Sequence, residues 1–468
     1  MLVDGLMNSD PFARREMIME SFVSSPPPAD VRAVVLVAGD INFLHERAKI
    51  IRWARQNYER AMNAGYGCFV AGQAAQKNAI KQALAATEGL ADVPVVGADA
   101  EIVAQACLRL DPGPSPDFDL KIVSEKPPSA ENELLLRRAF NGFSAITLQP
   151  LTGGRSPTDG IWRVDANSTD DELRSPFVVK CGRRASIDMQ VRTYRDVVAD
   201  RVPFRGCAPL CLERSVAGYR KRLSVSRFVE RAQRLDEILT QPDCAAPGDI
   251  IHRIFSGPLH RWRAQPQVRS LKLLDELLPR GLRKTFGRGL RITYGRLPVG
   301  TALPPGDLVR AMASVPKLDV PVCRAHDDLN FRNVFVAESG GEIILIDFTR
   351  AVVKPLSQDI ARMDVGLAFD NELNEQQPIA DDILEAYFSG NLFSISLAHS
   401  IKGRSARARL AAIEALRNQM LIESEALNYD PIIEYKIAIV AGLFYEAKRQ
   451  TKWSAIAYRC ADAIVATL

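Results

Sequence analysis

The chain is poor in several features that would narrow its function at once. Neither sign of charge dominates: 60 Lys and Arg stand against 56 Asp and Glu in 468 residues, a formal net charge of +4. That balance argues against a protein built to coat nucleic acid. The one basic stretch, from Arg280 to Arg296, reads more simply as a solvated loop and helix end than as an anion-binding surface. No apolar run is long enough to cross a bilayer, and Met1–Ser24 carries acids and arginines without the apolar stretch of a secretory leader. Cytoplasmic residence is the expectation. Of the 5 histidines, His45, His252, His260 and His399 belong to no recognisable cluster. The 8 cysteines are dispersed, and the single close pair, Cys207 and Cys211, has no nearby His to complete a zinc pattern. Reduced, mostly buried thiols are expected. Neither a Gly-x-Gly-x-x-Gly motif nor a phosphate-loop lysine motif occurs.

What is present is concentrated in His326-Asp327-Asp328-Leu329-Asn330-Phe331-Arg332-Asn333, followed shortly by Ile346-Asp347-Phe348. A phosphoryl-transfer site needs a carboxylate near the attacking hydroxyl, and Asp328 fits. It needs oxygen ligands for Mg²⁺, and the Asn333 amide and Asp347 carboxylate fit. Val334–Glu338 and Glu342–Ile346 read as a hairpin around Ser339-Gly340-Gly341. Antiparallel pairing then brings Asn333, at the start of one strand, beside Asp347, at the end of the other. A surface hairpin with polar ends is the plain alternative. The full set, with His326 placed to brace the loop, argues against it.

These residues resemble the aminoglycoside phosphotransferase and choline kinase group of kinase-fold enzymes, which reads His-x-Asp-x-x-x-x-Asn, a strand pair, then Ile-Asp-Phe/Trp. The group often has Gly where this chain has Asp327. Downstream, Pro355–Ala361 resembles the group's Pro-x-x-x-Asp-Leu-Ala segment, which implies that Asp359 ties down the loop. The resemblance covers roughly residues 130–468 and is specific around 323–364. The chain is also similar to bacterial ternary complex associated kinase-like domains, predicted parts of conflict and signalling systems.

A small lobe can be read upstream in the order the resemblance implies. Ala145–Leu151 is a strand leading into Thr152–Ser156, where Gly153, Gly154 and Ser156 would approach nucleotide phosphates. Ile161–Val164 returns, and Phe177–Lys180 is a third strand whose Lys180 resembles the lysine that pairs with those phosphates. In the next helix Ile187, Val191, Tyr194 and Val198 mark a buried face. A kinase places a Glu there to hold the lysine. Here Gln190 lies near that face and Asp188 on its flank. Three readings stay open: Asp188 turns inward, Gln190 suffices as a neutral partner, or activity is low. Two further strands are expected near Pro209–Val216 and Leu223–Val229, turning at Ala217–Tyr219. Phe228-Val229-Glu230-Arg231 is then the adenine-side hinge, with Phe228 and Glu230 as nucleotide-binding candidates.

Helical periodicity recurs near 249–264, 268–278, 379–389, 404–426, 431–448 and 452–467. Too few residues separate Asp347 from Pro355 for the long activation segment of a regulated protein kinase. At the other end, strands at Val31–Ala38, Tyr66–Ala71 and Val93–Val96 alternate with helices at Phe43–Ala64, Ala74–Ala86 and Glu101–Leu110.

The expected architecture is an α+β bilobal protein-kinase-like domain preceded by a small α/β three-layer domain. Its parts are a lead over 1–28, the α/β domain over 29–110, a linker over 111–130, a small lobe over 131–230 and a helical large lobe over 231–468. The expected activity is transfer of the γ-phosphoryl group of ATP, with Mg²⁺, to a hydroxyl, the acceptor being a small molecule rather than a protein. The other reading is a pseudokinase that senses nucleotide and regulates a partner. A protein partner is expected through the N-terminal domain, and neither membrane nor nucleic acid is.

Overall fold

The structure is a computed structural model. It describes residues 116–151, 158–167, 176–218, 221–241, 246–287, 304–338, 341–389, 391–394, 403–449 and 451–468, with 33–38, 67–72, 77–86, 93–97 and scattered single positions before them. The described chain divides into two compact units, Met1–Val191 with Leu210–Phe228, and Arg192–Pro209 with Val229–Leu468.

The first unit opens with a parallel three-stranded sheet in the order β1 (Ala33–Ala38), β2 (Gly67–Gly72), β3 (Val95–Gly97). Its short apolar strands, joined through the helix Lys77–Ala85, make the α/β alternation read from the sequence. Ile80 of that helix is fully buried, and a side chain at Gly72 would collide with it. The 1–28 lead and most of the helices read at 43–64 and 101–110 lie outside the described residues.

The unit's second sheet has the order β4 (Lys121–Ser124), β5 (Ala145–Pro150), β6 (Thr158–Asn167), β7 (Phe177–Arg183), β8 (Lys221–Arg227). β4 runs parallel to β5 and the rest are antiparallel. Residues 111–130 are therefore more than linker: Lys121–Ser124 adds a strand, with Lys121 N–H donating to the Ser144 carbonyl. The helix Ala130–Ala139 is capped by Ser129 and buries Leu135, Leu136 and Ala139 in the sheet's core. Pro209–Val216 does not form the expected strand. Leu212–Arg214 is a 3₁₀ turn, and Cys211 and Val216 reach β8 through single hydrogen bonds on either side of it. Ser215 Oγ donates to the Cys211 carbonyl and closes the turn, so the backbone groups between have no ladder to join.

The second unit holds two small sheets among helices. β9 (Ala232–Arg234) pairs with β12 (Val334–Ala337), which pairs with β13 (Ile343–Leu345); β10 (Gln267–Leu271) pairs with β11 (Leu318–Ala325), which pairs with β14 (Val352–Pro355). Periodicity at 268–278 predicts one helix. The chain instead spends Gln267–Leu271 on β10 and keeps only Leu273–Leu277 helical. Antiparallel pairing with β11 satisfies that backbone and outweighs the local pattern. The helix expected over 249–264 breaks at Gly257-Pro258 into Pro247–Ser256 and His260–Arg263.

The long helices Arg404–Ala426, Ile432–Lys448 and Ser454–Val465 match their periodic stretches; the first two pack against the helix Gln358–Phe369 and the third against Ile432–Lys448. Two buried arginines hold that helix. Arg417 Nε pairs with Asp364 at 2.8 Å, and Tyr435 OH donates to the same carboxylate at 2.7 Å. Arg409 donates to the carbonyls of Leu367, Ala368 and Gln377 and to Asn374 Oδ1, covering carbonyls that a helix end leaves open. No helix among the described residues is long and apolar enough to cross a membrane.

Candidate active site

β11 delivers the chain into the loop at His326. Asp359, fully buried in the first turn of Gln358–Phe369, accepts the backbone N–H of His326 at 2.8 Å and of Asp327 at 2.9 Å. Asp359 thus does what the resemblance implied. Burial raises its carboxyl above the ordinary range, while His326, Arg263 and the two N–H groups act against the shift. Two residues earlier, Ser357 N–H donates to Glu434 Oε1 at 2.7 Å, and Tyr429 OH donates to Glu434 Oε2 at 2.9 Å. Glu434 is likewise raised by burial, against the hydrogen bonds it accepts.

His326 is completely buried and crosses the loop. Its Nε2 donates to the Ile346 carbonyl at 2.9 Å, and its ring lies 4.8 Å from that of Phe348. A carbonyl can only accept, so this nitrogen carries the proton. The residues before and after Asp347 are therefore both held by His326.

Asp327 sits at φ +58°, in the left-handed region, where glycine is favoured. This explains the Gly that the resembled group often has here. Asp327 Oδ1 accepts from Gln358 Nε2 at 2.7 Å. Burial raises its carboxyl, and Lys354 opposes most strongly.

Asp328 is half-buried. Its carbonyl accepts from Asn330 Nδ2 and from Asn333 Nδ2, each at 3.0 Å. The second bond orients the Asn333 amide, committing its nitrogen to the loop and not its oxygen. Val334 pairs with Leu345, and Ile346 N–H donates to the Asn333 carbonyl at 3.0 Å, so Asn333 and Asp347 stand at the same end of the hairpin. Asp347 is itself left-handed, at φ +62°, and Thr349 Oγ1 donates to its Oδ1 at 2.7 Å. An oriented amide oxygen and a carboxylate are the hard-oxygen donors Mg²⁺ takes, completed by water or phosphate oxygens. Among the described residues no three His, Cys, Asp or Glu gather where they could hold a metal ion.

A match to a family model shows what kind of protein carries this loop. The model of the APH phosphotransferase enzyme family matches residues 147–394, more than half of the chain. The chain belongs to that family. It is a phosphotransferase with the kinase-like fold. Solved structures similar to it include a type VIII aminoglycoside-3'-phosphotransferase, at 12% identity over 57% of this chain and 93% of that one, TM-score 0.32. Another is the spectinomycin phosphotransferase APH(9)-Ia in complex with ADP and spectinomycin, at 15% identity over 65% of this chain and 93% of that one, TM-score 0.33. A third is a Plasmodium vivax ethanolamine kinase, at 11% identity over 69% of this chain and 82% of that one, TM-score 0.32. No curated protein matches the chain.

In the first unit of this phosphotransferase, Lys180 lies on β7 opposite Ser224 of β8. Residues directly opposite in an antiparallel pair project from the same face. Ser224 Oγ meets Gln190 Oε1 at 3.5 Å, so Gln190 reaches the face from which Lys180 projects. Asp188 is engaged by arginines, pairing with Arg222, two residues from Ser224 on β8, and, at 3.6 Å, with Arg184. Of the hinge candidates, Phe228 spends its N–H on the Pro176 carbonyl, with the Arg163 guanidinium 5.0 Å above its ring, and Glu230 is exposed. Gly153, Gly154 and Ser156 lie outside the described residues.

Three residues at the site escaped the sequence reading. Arg362 contacts Asp328, Gln358 holds Asp327, and Glu434 braces the helix behind both. Arg362 follows Asp359-Ile360-Ala361, so its place one turn along the loop-binding helix was the available signal.

Proposed function

We propose that the chain transfers the γ-phosphoryl group of ATP to a hydroxyl acceptor. Asp328 is the base that receives the hydroxyl proton. Asn333 and Asp347 are ligands for Mg²⁺, which when bound would neutralise phosphate charge. Lys180 would pair with nucleotide phosphates, with Gln190 its neutral neighbour, and Gly153, Gly154, Ser156, Phe228 and Glu230 are kept as nucleotide contacts. His326 and Asp359 hold the loop and do not react.

The observation that carries this reading is the way the site is held. Asp359 clamps the loop's two leading amides, and Asn333 Nδ2 ties the metal-ligand side chain to the backbone of the base itself. Such positioning is most of what phosphoryl transfer asks of a protein. The test is ATP turnover measured against pooled hydroxyl compounds in wild type and Asp328→Asn. The variant should lose about a hundredfold or more in rate and keep ATP affinity. Equal rates in the two proteins would remove Asp328 as the base.

The other reading is a nucleotide-sensing pseudokinase that regulates a partner protein. One observation favours it: the helix offers Lys180's face a neutral Gln190, while its carboxylate, Asp188, is engaged by two arginines. Absence of turnover with every pool, with ATP altering association with a protein partner, would decide for it.

A further inference from the structure

The proposed base does not face solvent alone. Arg362 Nη2 lies 3.3 Å from Asp328 Oδ1, and both side chains are partly open, 23% and 29% exposed. The guanidinium is held in place from behind, 4.5 Å above the Tyr445 ring. Arg449 stands 5.6 Å from the same ring and is itself tied to Glu446 through two contacts of 3.0 and 2.9 Å. Among the described residues Arg362 makes no hydrogen bond other than the one to Asp328. A guanidinium has five N–H donors in a planar fork, so most of this one's donors are uncommitted.

An arginine fixed on an aromatic ring, with one corner on the base and its other donors unused, is suited to a planar or tetrahedral oxyanion. It also bears on the charge of what can approach. A cationic acceptor would meet Arg362 together with Asp328, a pair whose charges offset each other, so the site offers it little net attraction. The adjacent carboxylate does not reverse this, because Asp327 is occupied by Gln358 and lies in the field of Lys354 and Arg350.

We infer that the acceptor carries an oxyanion, a carboxylate or a phosphate ester, near the hydroxyl that is phosphorylated, and that Arg362 binds it. This rests on Asp328 being the base and extends that reading to the acceptor's charge. Arg362 acts on binding and on the placement of the hydroxyl; the proton still passes to Asp328.

Two measurements test it. In the first, hydroxyl compounds are pooled by charge as amino sugars, neutral sugars and polyols, sugar acids, and sugar phosphates, and turnover of ATP is read with each. Turnover should appear with the anionic pools, the last two separating carboxylate from phosphate. Arg362→Gln should raise KM for the active acceptor at least tenfold, with a smaller change in kcat. Arg362→Lys, which keeps charge without the fork, should recover part of it. Turnover confined to cationic or neutral acceptors, or an unchanged KM in Arg362→Gln, overturns the inference. The second measurement does not need catalysis. Binding of inorganic phosphate and of a sugar acid is followed by calorimetry in wild type, Arg362→Gln and Lys180→Ala. Binding should weaken at least tenfold in Arg362→Gln and persist in Lys180→Ala. Equal affinity in wild type and Arg362→Gln, or no binding in wild type, overturns the inference. Intact Arg362-dependent binding with no turnover in any pool would count against the phosphotransfer reading alone.

Discussion

His326 and Ile346 are joined side chain to backbone, the imidazole Nε2 donating to the carbonyl at 2.9 Å inside the core. The bond links the loop that carries Asp328 to the strand end that carries Asp347. The proposed base and the proposed metal ligand are therefore parts of one rigid piece, and substitutions on either side can be read as changes of chemistry rather than of shape.

Asp347→Ala should abolish Mg²⁺-dependent ATP binding while leaving the fold intact. The residue is half-buried at the end of β13, and its side chain is bonded locally to Thr349. Calorimetry with and without Mg²⁺ reads the effect. An unchanged Mg²⁺–ATP affinity would remove Asp347 from the metal site.

Gln190→Glu places a carboxylate on the face of β7 and β8 from which Lys180 projects, at almost constant size. ATP affinity should be maintained or rise. Asp188→Asn should leave ATP affinity alone and lower stability by about 1 kcal/mol, because Asp188 serves two partly exposed arginines. Loss of ATP binding in Asp188→Asn, with Gln190→Glu neutral, would assign the lysine's partner to Asp188.

Asp327 separates backbone strain from side-chain bonding. At φ +58° a glycine relieves roughly 1 kcal/mol of strain but gives up the Gln358 bond, so Asp327→Gly should stay within about 1 kcal/mol of wild type. Asp327→Val should cost about 2 kcal/mol or more, since a β-branched residue resists this conformation. Urea unfolding measures both. A valine variant as stable as the glycine one would show that the loop relaxes out of the left-handed region.

Glu434 makes a pH prediction. Its folded carboxyl is raised, burial being the main cause, so the folded chain holds the proton more tightly than the unfolded chain does. Its contribution is fullest below the ordinary carboxylate value of about 4 and is lost as pH rises through the raised folded value. Glu434→Gln keeps the shape and cannot titrate. The stability of wild type relative to this variant should therefore fall as pH rises from about 4 toward neutrality. Thermal unfolding across that range checks the sign, and a difference that grows with pH would contradict it.

The loop at His326–Asn333 and its hairpin were legible as structure because their information is local. A fixed spacing from His326 to Asp347, interrupted by one turn, leaves few ways to fold. The long C-terminal helices were legible for the same reason, their apolar period running unbroken over many residues. β11 was not: Pro321 interrupts its pattern and lies just outside the stretch that β14 pairs. β10 was not, because Val268 is left 71% exposed and its place is set by a partner about fifty residues away. Arg362 carried only its place one turn after Asp359 as a signal, because its contact depends on where the Asp328 side chain lies.

β11 and β14 have a consequence for how the site is switched. They pair side by side, Ala325 opposite Val352, so the chain that leaves at His326 returns at Ala351 through a closed clasp. The excursion between them works as a noose already drawn tight. A ligand arriving there has no slack to take up, so its binding free energy is not diverted into ordering the backbone. The amides of His326 and Asp327, pinned inside the clasp, should exchange with solvent only when the whole unit opens. Control over such a centre acts on what reaches it, not on whether it is assembled.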